Sequence, residues 1–418
     1  MTVTNNLQVL PTVPLDSELS TTGYTIKWTL QMLHDHNPAF VKACGNKQVK
    51  DITAYDISDG KGFLSHVYKT TVTFDSGDTY RFIMKIPTFE CLDKAMDDMG
   101  LEKTDSNNFQ DELKDAHNVE CTAYELIRDV VDFPKPQIYF MQRTGEGKPG
   151  IIVMNDLSEI STTIGIFKSI TVEHCVNAAR HFATFHAQMN SRDDWKGKYE
   201  KSFHCSSVNR FEMPKMYQKF IDQAPEFTET AKKMQRVDHI NFSRYAILEL
   251  PKKYGAISLL AGDCWANNVM IKLSSDGSLS NEIASFIDWQ ILMEGNPTFD
   301  FARFVTLCAD AEVRREAIPL AIDTYYNTLT EASKEKSVPF TKEQAEELFD
   351  YARIQQSFEL MMMCSFFANP SMSPNVTPKV FEAQKQKLLL RTRFALEDAF
   401  ELMDKYEIWN RFPNSSMD

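Results

Sequence analysis

Apolar and polar positions alternate over the early part of the chain and recur every three to four residues over the later part. Residues 50–57, His66–Phe74 and Thr79–Ile86 are rich in β-branched and aromatic side chains, partly at period two, which predicts three strands. Asp75-Ser76-Gly77-Asp78 is a hairpin turn between the last two strands. Ser58–Ser65, with Gly60 and Gly62, is a glycine-containing turn between the first two. Residues 20–45 predict a helix ending near Pro38, and the charged, polar stretch from Thr88 to Asn118 reads as an exposed insertion. From Leu113 the period lengthens, and Leu113, Ala116, Glu120, Tyr124, Ile127 and Val131 share one helical face. Ile151–Leu157 is a short apolar strand and the natural hinge between a strand-rich front and a helix-rich back. Past it, Val172, Cys175, Val176, Ala179, Phe182, Ala183 and His186 line one face of a helix, with His186 read as a satisfied core histidine. Helical periodicity then dominates from Phe301 to about Tyr406. The pattern predicts an α+β chain of two lobes, 1–154 and 155–418.

Two charges break the pattern. Lys85 sits in the mostly apolar strand Phe82–Pro87, and Glu120 sits on the apolar stripe of its helix. Either charge alone bears a heavy desolvation cost, so the simplest joint solution is that the two meet.

A second constellation lies downstream, in Leu260-Ala261-Gly262-Asp263-Cys264-Trp265-Ala266-Asn267-Asn268 and Phe286-Ile287-Asp288-Trp289-Gln290. Val269–Ile271 and Ile283–Ile287 predict strands on either side of the turn Ser274–Ser278. A hairpin would bring Asn268 and Asp288 together at its open end, where a carboxamide and a carboxylate offer the hard oxygen ligands that Mg²⁺ prefers. Asp263, one short loop away, is then placed to accept a proton from a hydroxyl. With a lysine–glutamate pair of the kind that grips nucleotide phosphates upstream, the set points to phosphoryl transfer. A hydrolase built on Asp263 and Asp288 would leave Lys85, Glu120 and the glycine turn without a joint purpose. A protein kinase would carry Asp-Phe-Gly and Ala-Pro-Glu signatures. Here Gly295-Asn296-Pro297 follows Asp288 within a few residues and leaves little length for an activation segment.

Composition narrows the setting. Of 418 residues, 43% are hydrophobic and 25% charged, as in an ordinary globular protein, and the net charge of −13 argues against a nucleic-acid partner. The eight cysteines form no CxxC pair, which disfavours zinc and a disulfide framework. Met1–Leu19 has no basic residue and no long apolar run, so no signal peptide is expected. No apolar stretch approaches the roughly 20 residues of a membrane span. The expectation is a reduced, cytoplasmic protein, a monomer or weak homodimer.

The ordered set resembles the aminoglycoside-phosphotransferase and choline-kinase superfamily of protein-kinase-like folds, and within it the ecdysteroid kinase-like (CHK kinase-like) branch, including its nematode members. The residues that carry the resemblance are Gly60–Ser65, Lys85, Glu120–Tyr124, Asp156-Leu157-Ser158, Phe185-His186-Ala187, Gly262–Trp265 with Asn268, Ile287–Gln290, Gly295-Asn296-Pro297 and Asp300–Arg303. They span about residues 55–310. The resemblance implies a bilobal fold with a nucleotide-binding N-lobe, a mainly helical catalytic C-lobe, and ATP and Mg²⁺ as cofactors. It implies Asp263 as catalytic base, Asn268 and Asp288 as metal ligands, Lys85 as the phosphate-binding lysine and Glu120 as its partner. Gly60, Gly62 and Ser65 would lie over the phosphates, Met154 and Asn155 beside adenine, and Asp300 would brace the catalytic loop. The acceptor would be a hydroxyl on a small, partly apolar molecule such as a sterol or a conjugated xenobiotic. Its binding residues are expected after about residue 190, including Phe203–Met216 and the Met361 cluster. Trp265 and Trp289 flank the catalytic residues, and both packing and ligand contact are open to each. The family usually has histidine where this chain has Ala261, which supplies the alternative: a catalytically weak kinase fold that binds nucleotide or an apolar ligand.

Overall fold

The computed structural model describes residues 7–58, 64–88, 106–145, 147–200, 213–333, 337–370 and 376–414, with backbone alone over 106–114 and 213–216. The chain divides into two compact units, Met1–Tyr124 with Pro136–Glu159, and Glu125–Lys135 with Ile160–Asp418.

The first unit is built on an antiparallel sheet of order β1-β2-β3-β5-β4, with β1 Val49–Asp56, β2 Ser65–Phe74, β3 Thr79–Pro87, β4 Ile138–Gln142 and β5 Ile151–Asn155. Leu30, Leu33, Phe40, Val72, Phe74, Phe82, Met84 and Val153 form its buried core. The helix expected over residues 20–45 is two helices, α1 Ile26–His36 and α2 Pro38–Cys44. Asn37 divides them because Pro38, lacking an N–H, suits the first position of a new helix and cannot prolong the old one. Asn37 Oδ1 accepts the Phe40 N–H at 3.1 Å, and its Nδ2 donates to the Tyr80 hydroxyl at 2.8 Å.

Helix α3, Ser106–Ile127, starts well before Leu113, inside the stretch expected to be an insertion. Polarity does not oppose a helix there, since Gln110, Glu112 and Lys114 are good helix formers. The helix stops at Ile127, so Val131 is off its face and 64% exposed, a correction to the predicted stripe. Three consecutive hydrogen bonds tie α3 to the β4–β5 hairpin: His117 Nε2 to Gln142 O at 2.9 Å, and Asn118 to Thr144 N and O at 2.9 and 3.1 Å. A side chain at Gly150 would strike Thr144 Oγ1 and His117 Nε2 at 2.2 and 2.5 Å, so the hairpin reaches α3 only through glycine.

The second unit is mainly helical. Its strands are β6 Ser161–Thr163, β7 Ser258–Leu260, β8 Val269–Leu273, β9 Leu279–Phe286 and β10 Met293–Gly295. Strand β8 pairs antiparallel with β6 and β9, and β7 pairs antiparallel with β10. The long helices are α4 Val172–Met189, α5 Phe299–Cys308, α6 Ala311–Ala332, α7 Lys342–Phe367 and α8 Pro378–Lys405. Shorter ones lie between Met213 and Lys253. Phe133, Phe182, Phe185, Phe286 and Trp289 stack into an aromatic core under β9. The α+β class, with a strand-rich part followed by a mainly helical part, is as the sequence predicts. No described helix is long and apolar enough to cross a membrane.

Candidate active site

The loop after β7 is held by its backbone. Asp300, fully buried near the start of α5, accepts the Ala261 N–H on Oδ2 and the Gly262 N–H on Oδ1, both at 2.8 Å. Burial pushes the Asp300 carboxyl up to about 7, while the two N–H donors and nearby Arg303 pull it back towards ionisation. Gly262 has φ +83°, and a Cβ there would sit 2.2 Å from the Ile291 carbonyl oxygen. Only glycine fits this turn. Ala261, where the resembling family has histidine, is buried and engages Asp300 through its backbone.

Asp263 follows directly. Its Oδ1 accepts from Arg303 Nη2 at 2.7 Å and Nε at 3.1 Å, and its Oδ2 accepts from Asn268 Nδ2 at 3.1 Å. Asn268 Nδ2 also donates to the Asp263 carbonyl at 2.9 Å. The β8–β9 hairpin brings Asp288 to the same end: Val269 pairs with Phe286, and the Ile287 N–H donates to the Asn268 carbonyl at 2.9 Å. Asp288 adopts φ +65°, a left-handed conformation that Asp tolerates better than most residues and that turns the chain sharply out of β9.

A hard divalent cation fits this donor set. Because Asn268 commits its Nδ2 to Asp263, its Oδ1 faces the other way, and Asp288 adds a half-buried carboxylate nearby.

In the first unit Lys85 and Glu120 meet. The Lys85 ammonium lies 2.8 Å from Glu120 Oε1 and 2.7 Å from Oε2, with both side chains buried. Strand β3 supplies the lysine and α3 the glutamate. Ser65 is buried at the start of β2. Met154 and Asn155 end β5, where the Asn155 carboxamide oxygen accepts the Gln137 N–H at 2.8 Å. Asp156 accepts the Ser158 N–H at 2.8 Å and pairs with Lys69 at 3.3 Å. Gly60 and Gly62 lie outside the described residues, as do residues 203–212 of the expected acceptor region.

Other candidates resolve as packing. His186 is fully buried between the Tyr325 hydroxyl at 2.9 Å and the Leu259 carbonyl at 3.1 Å. Trp289 packs among Phe133 and Phe185, and Trp265 against Phe367. Met361 and Met362 are buried, whereas Met363 is half-buried with its sulfur 4.0 Å from Arg303. The six described cysteines are buried and form no disulfide. The residue without a predicted role is Arg303. A readable signal existed, since a cation in the mostly apolar run Phe299–Cys308, where Asp300 is the other charge, demands a buried anion just as Glu120 demands a cation.

The family model DUF1679, described as "Uncharacterized oxidoreductase dhs-27", matches residues 43–405. The Caenorhabditis elegans protein of that name is 26% identical over 280 residues, which cover 64% of this chain and 34% of the relative. The chain thus spans about a third of that relative's length. A second C. elegans protein, "Uncharacterized kinase-like protein D1044.1", is 23% identical over 366 residues, 83% of this chain and 93% of the relative. Among solved structures, choline kinase from Cryptosporidium parvum aligns over 90% of this chain and 96% of its own, at 12% identity and a TM-score of 0.49. By the family match over most of its length, the chain belongs to the DUF1679 family.

Proposed function

We propose that this chain is an ATP- and Mg²⁺-dependent phosphotransferase that acts on an alcohol group of a small, partly apolar molecule, as a member of the ecdysteroid kinase-like branch. The observation that carries it is the convergence of Asp263, Asn268 and Asp288 at the open end of the β8–β9 hairpin. Asn268 Oδ1 and Asp288 would hold Mg²⁺, which when bound neutralises charge on the phosphates. Lys85, kept in place by Glu120, would hold nucleotide phosphates. Asp263 would align the acceptor hydroxyl. The acceptor oxygen bonds to the γ-phosphorus as the bond to the ADP oxygen breaks, and the hydroxyl proton passes to the Asp263 carboxylate. Positioning and charge stabilisation supply most of the acceleration.

The word oxidoreductase belongs to a relative that this chain matches over a third of its length, and the chain gives it little support. Its Gly145-Glu146-Gly147-Lys148-Pro149-Gly150 run has dinucleotide-fingerprint spacing, but it joins antiparallel strands β4 and β5 instead of a strand and a helix. A pyrophosphate there would meet no helix N-terminus. The alternative of a kinase fold that binds without turnover rests on Ala261. The backbone bonds from Asp300, which hold the loop without a histidine side chain, favour turnover.

The test is incubation of the purified protein with Mg·ATP and a mixed extract of sterols and glycosylated small molecules, read by mass spectrometry for the gain of one phosphate. A product made by wild type and lost in Asp263→Ala supports transfer. Nucleotide binding with no product supports the binding protein, and absence of nucleotide binding removes both.

A further inference from the structure

We propose that Arg303 is the positioning residue for Asp263, an inference that rests on the phosphotransferase reading above. Every residue of α5 is buried, so the guanidinium carries a large desolvation cost that only a well-placed anion offsets. Its partner is Asp263. Both Nε and Nη2 converge on Oδ1, leaving Oδ2 on the side of Asn268. Arg303 is itself held from α7, where Gln356 Oε1 accepts from Nη1 at 2.9 Å. Gln356 in turn donates to Gln355, which donates to Glu359 at 3.0 Å.

A purely structural weld between loop and helix is already present, because Asp300 fixes the loop backbone at Ala261 and Gly262. Arg303 instead grips the side chain that would align the acceptor. A carboxylate on a loop can rotate about two torsions. Two bonds on one oxygen stop that rotation and set which oxygen faces Asn268. The row Gln355, Gln356 and Glu359 then makes the orientation of Asp263 depend on where α7 lies.

The experiment compares Arg303→Gln and Arg303→Lys in the full chain, each also combined with Asp263→Asn, with Mg·ATP and the acceptor found above. Arg303→Gln should lower kcat by roughly 10²-fold with little change in nucleotide KM, since misplacing a reacting group acts on the transition state. Arg303→Lys should recover part of the loss. In the Asp263→Asn background, Arg303→Gln should cost nothing more, because a residue that acts through Asp263 has nothing left to position. An equal loss in both backgrounds, or a lower melting temperature with kcat unchanged, overturns the proposal. If Arg303→Gln does not fold, Gln356→Leu replaces it, with a smaller loss and the same non-additivity expected. If wild type transfers phosphate to no alcohol and to no water, the phosphotransferase reading fails. Crystal structures of wild type and Arg303→Gln, or of Gln356→Leu where that variant does not fold, then decide the positioning itself. An Asp263 carboxylate that keeps its orientation in the variant overturns it.

Discussion

The carboxylate of Asp300 accepts the backbone N–H of Gly262 at 2.8 Å, so a residue at the start of a buried helix fixes the turn that presents Asp263. The second oxygen does the same for Ala261, and neither bond involves a side chain of the loop. The loop is therefore held without any help from the side chain at position 261. Asp300→Asn offers one acceptor and one donor where two N–H groups point, so one of them faces an amide instead of an oxygen. Leaving such a buried group unmatched costs about 1–3 kcal/mol. Chemical denaturation should show that loss, and phosphate transfer should fall further than stability does. Transfer unchanged in Asp300→Asn would mean that the loop does not depend on this brace.

The Lys85–Glu120 pair separates stability from nucleotide binding. Both groups are buried, so removing one strips the other of its partner at 2.7 Å, a loss of about 3–5 kcal/mol for a buried pair, whereas an apolar pair of similar volume can be nearly neutral. Glu120→Leu alone should destabilise strongly, and Lys85→Met with Glu120→Leu should regain most of the melting temperature. Neither variant should bind Mg·ATP at wild-type affinity. A double variant with full nucleotide affinity would remove Lys85 from the phosphate site.

Much of this geometry was legible in the chain because its chemistry violates its own patterns. A lysine in an apolar strand and a glutamate on an apolar stripe predict each other. The turn Ser274–Ser278 between two short strands predicts that Asn268 and Asp288 adjoin. What stayed hidden needed tertiary information. The start of α3 at Ser106 is only faintly marked by apolar periodicity, because Phe109 alone extends the stripe into its first turns. The break at Asn37 was local and readable, since Pro38 and an Asn cap start a new helix, and the fold adds only the bond from Asn37 to Tyr80, 43 residues away. Arg303 was visible as an anomaly, but periodicity alone could not say that its anion is Asp263, on a loop 40 residues earlier.

Asp288 combines strain with chemistry. Its φ of +65° costs little for Asn, which visits the left-handed region as readily as Asp. Asp288→Asn should therefore keep the melting temperature of wild type while losing the charge that would hold the cation. Titration of nucleotide affinity against Mg²⁺ should show a strong dependence in wild type and a weak one in Asp288→Asn. Equal Mg²⁺ dependence in the two proteins would count against Asp288 as a metal ligand.

Histidines sealed in the core make stability depend on pH. Burial lowers His186 from 6.5 to about 3, and His117 and His239 to about 4. His186 shows why neutrality is required: with its proton on Nε2 for the Leu259 carbonyl, Nδ1 is left to accept from the Tyr325 hydroxyl. Between pH 6.5 and about 3 the unfolded chain binds the proton that the folded site refuses, so this stability is complete above 6.5 and is lost as pH falls towards 3. Denaturant midpoints should drop steadily from pH 7 to pH 4. In His186→Gln the protein should be weaker at pH 7, yet its decline over that window should be shallower by up to one proton, about 1.4 kcal/mol per pH unit. An unchanged slope in His186→Gln would show that this histidine is protonated in the folded protein and that the acid sensitivity arises elsewhere.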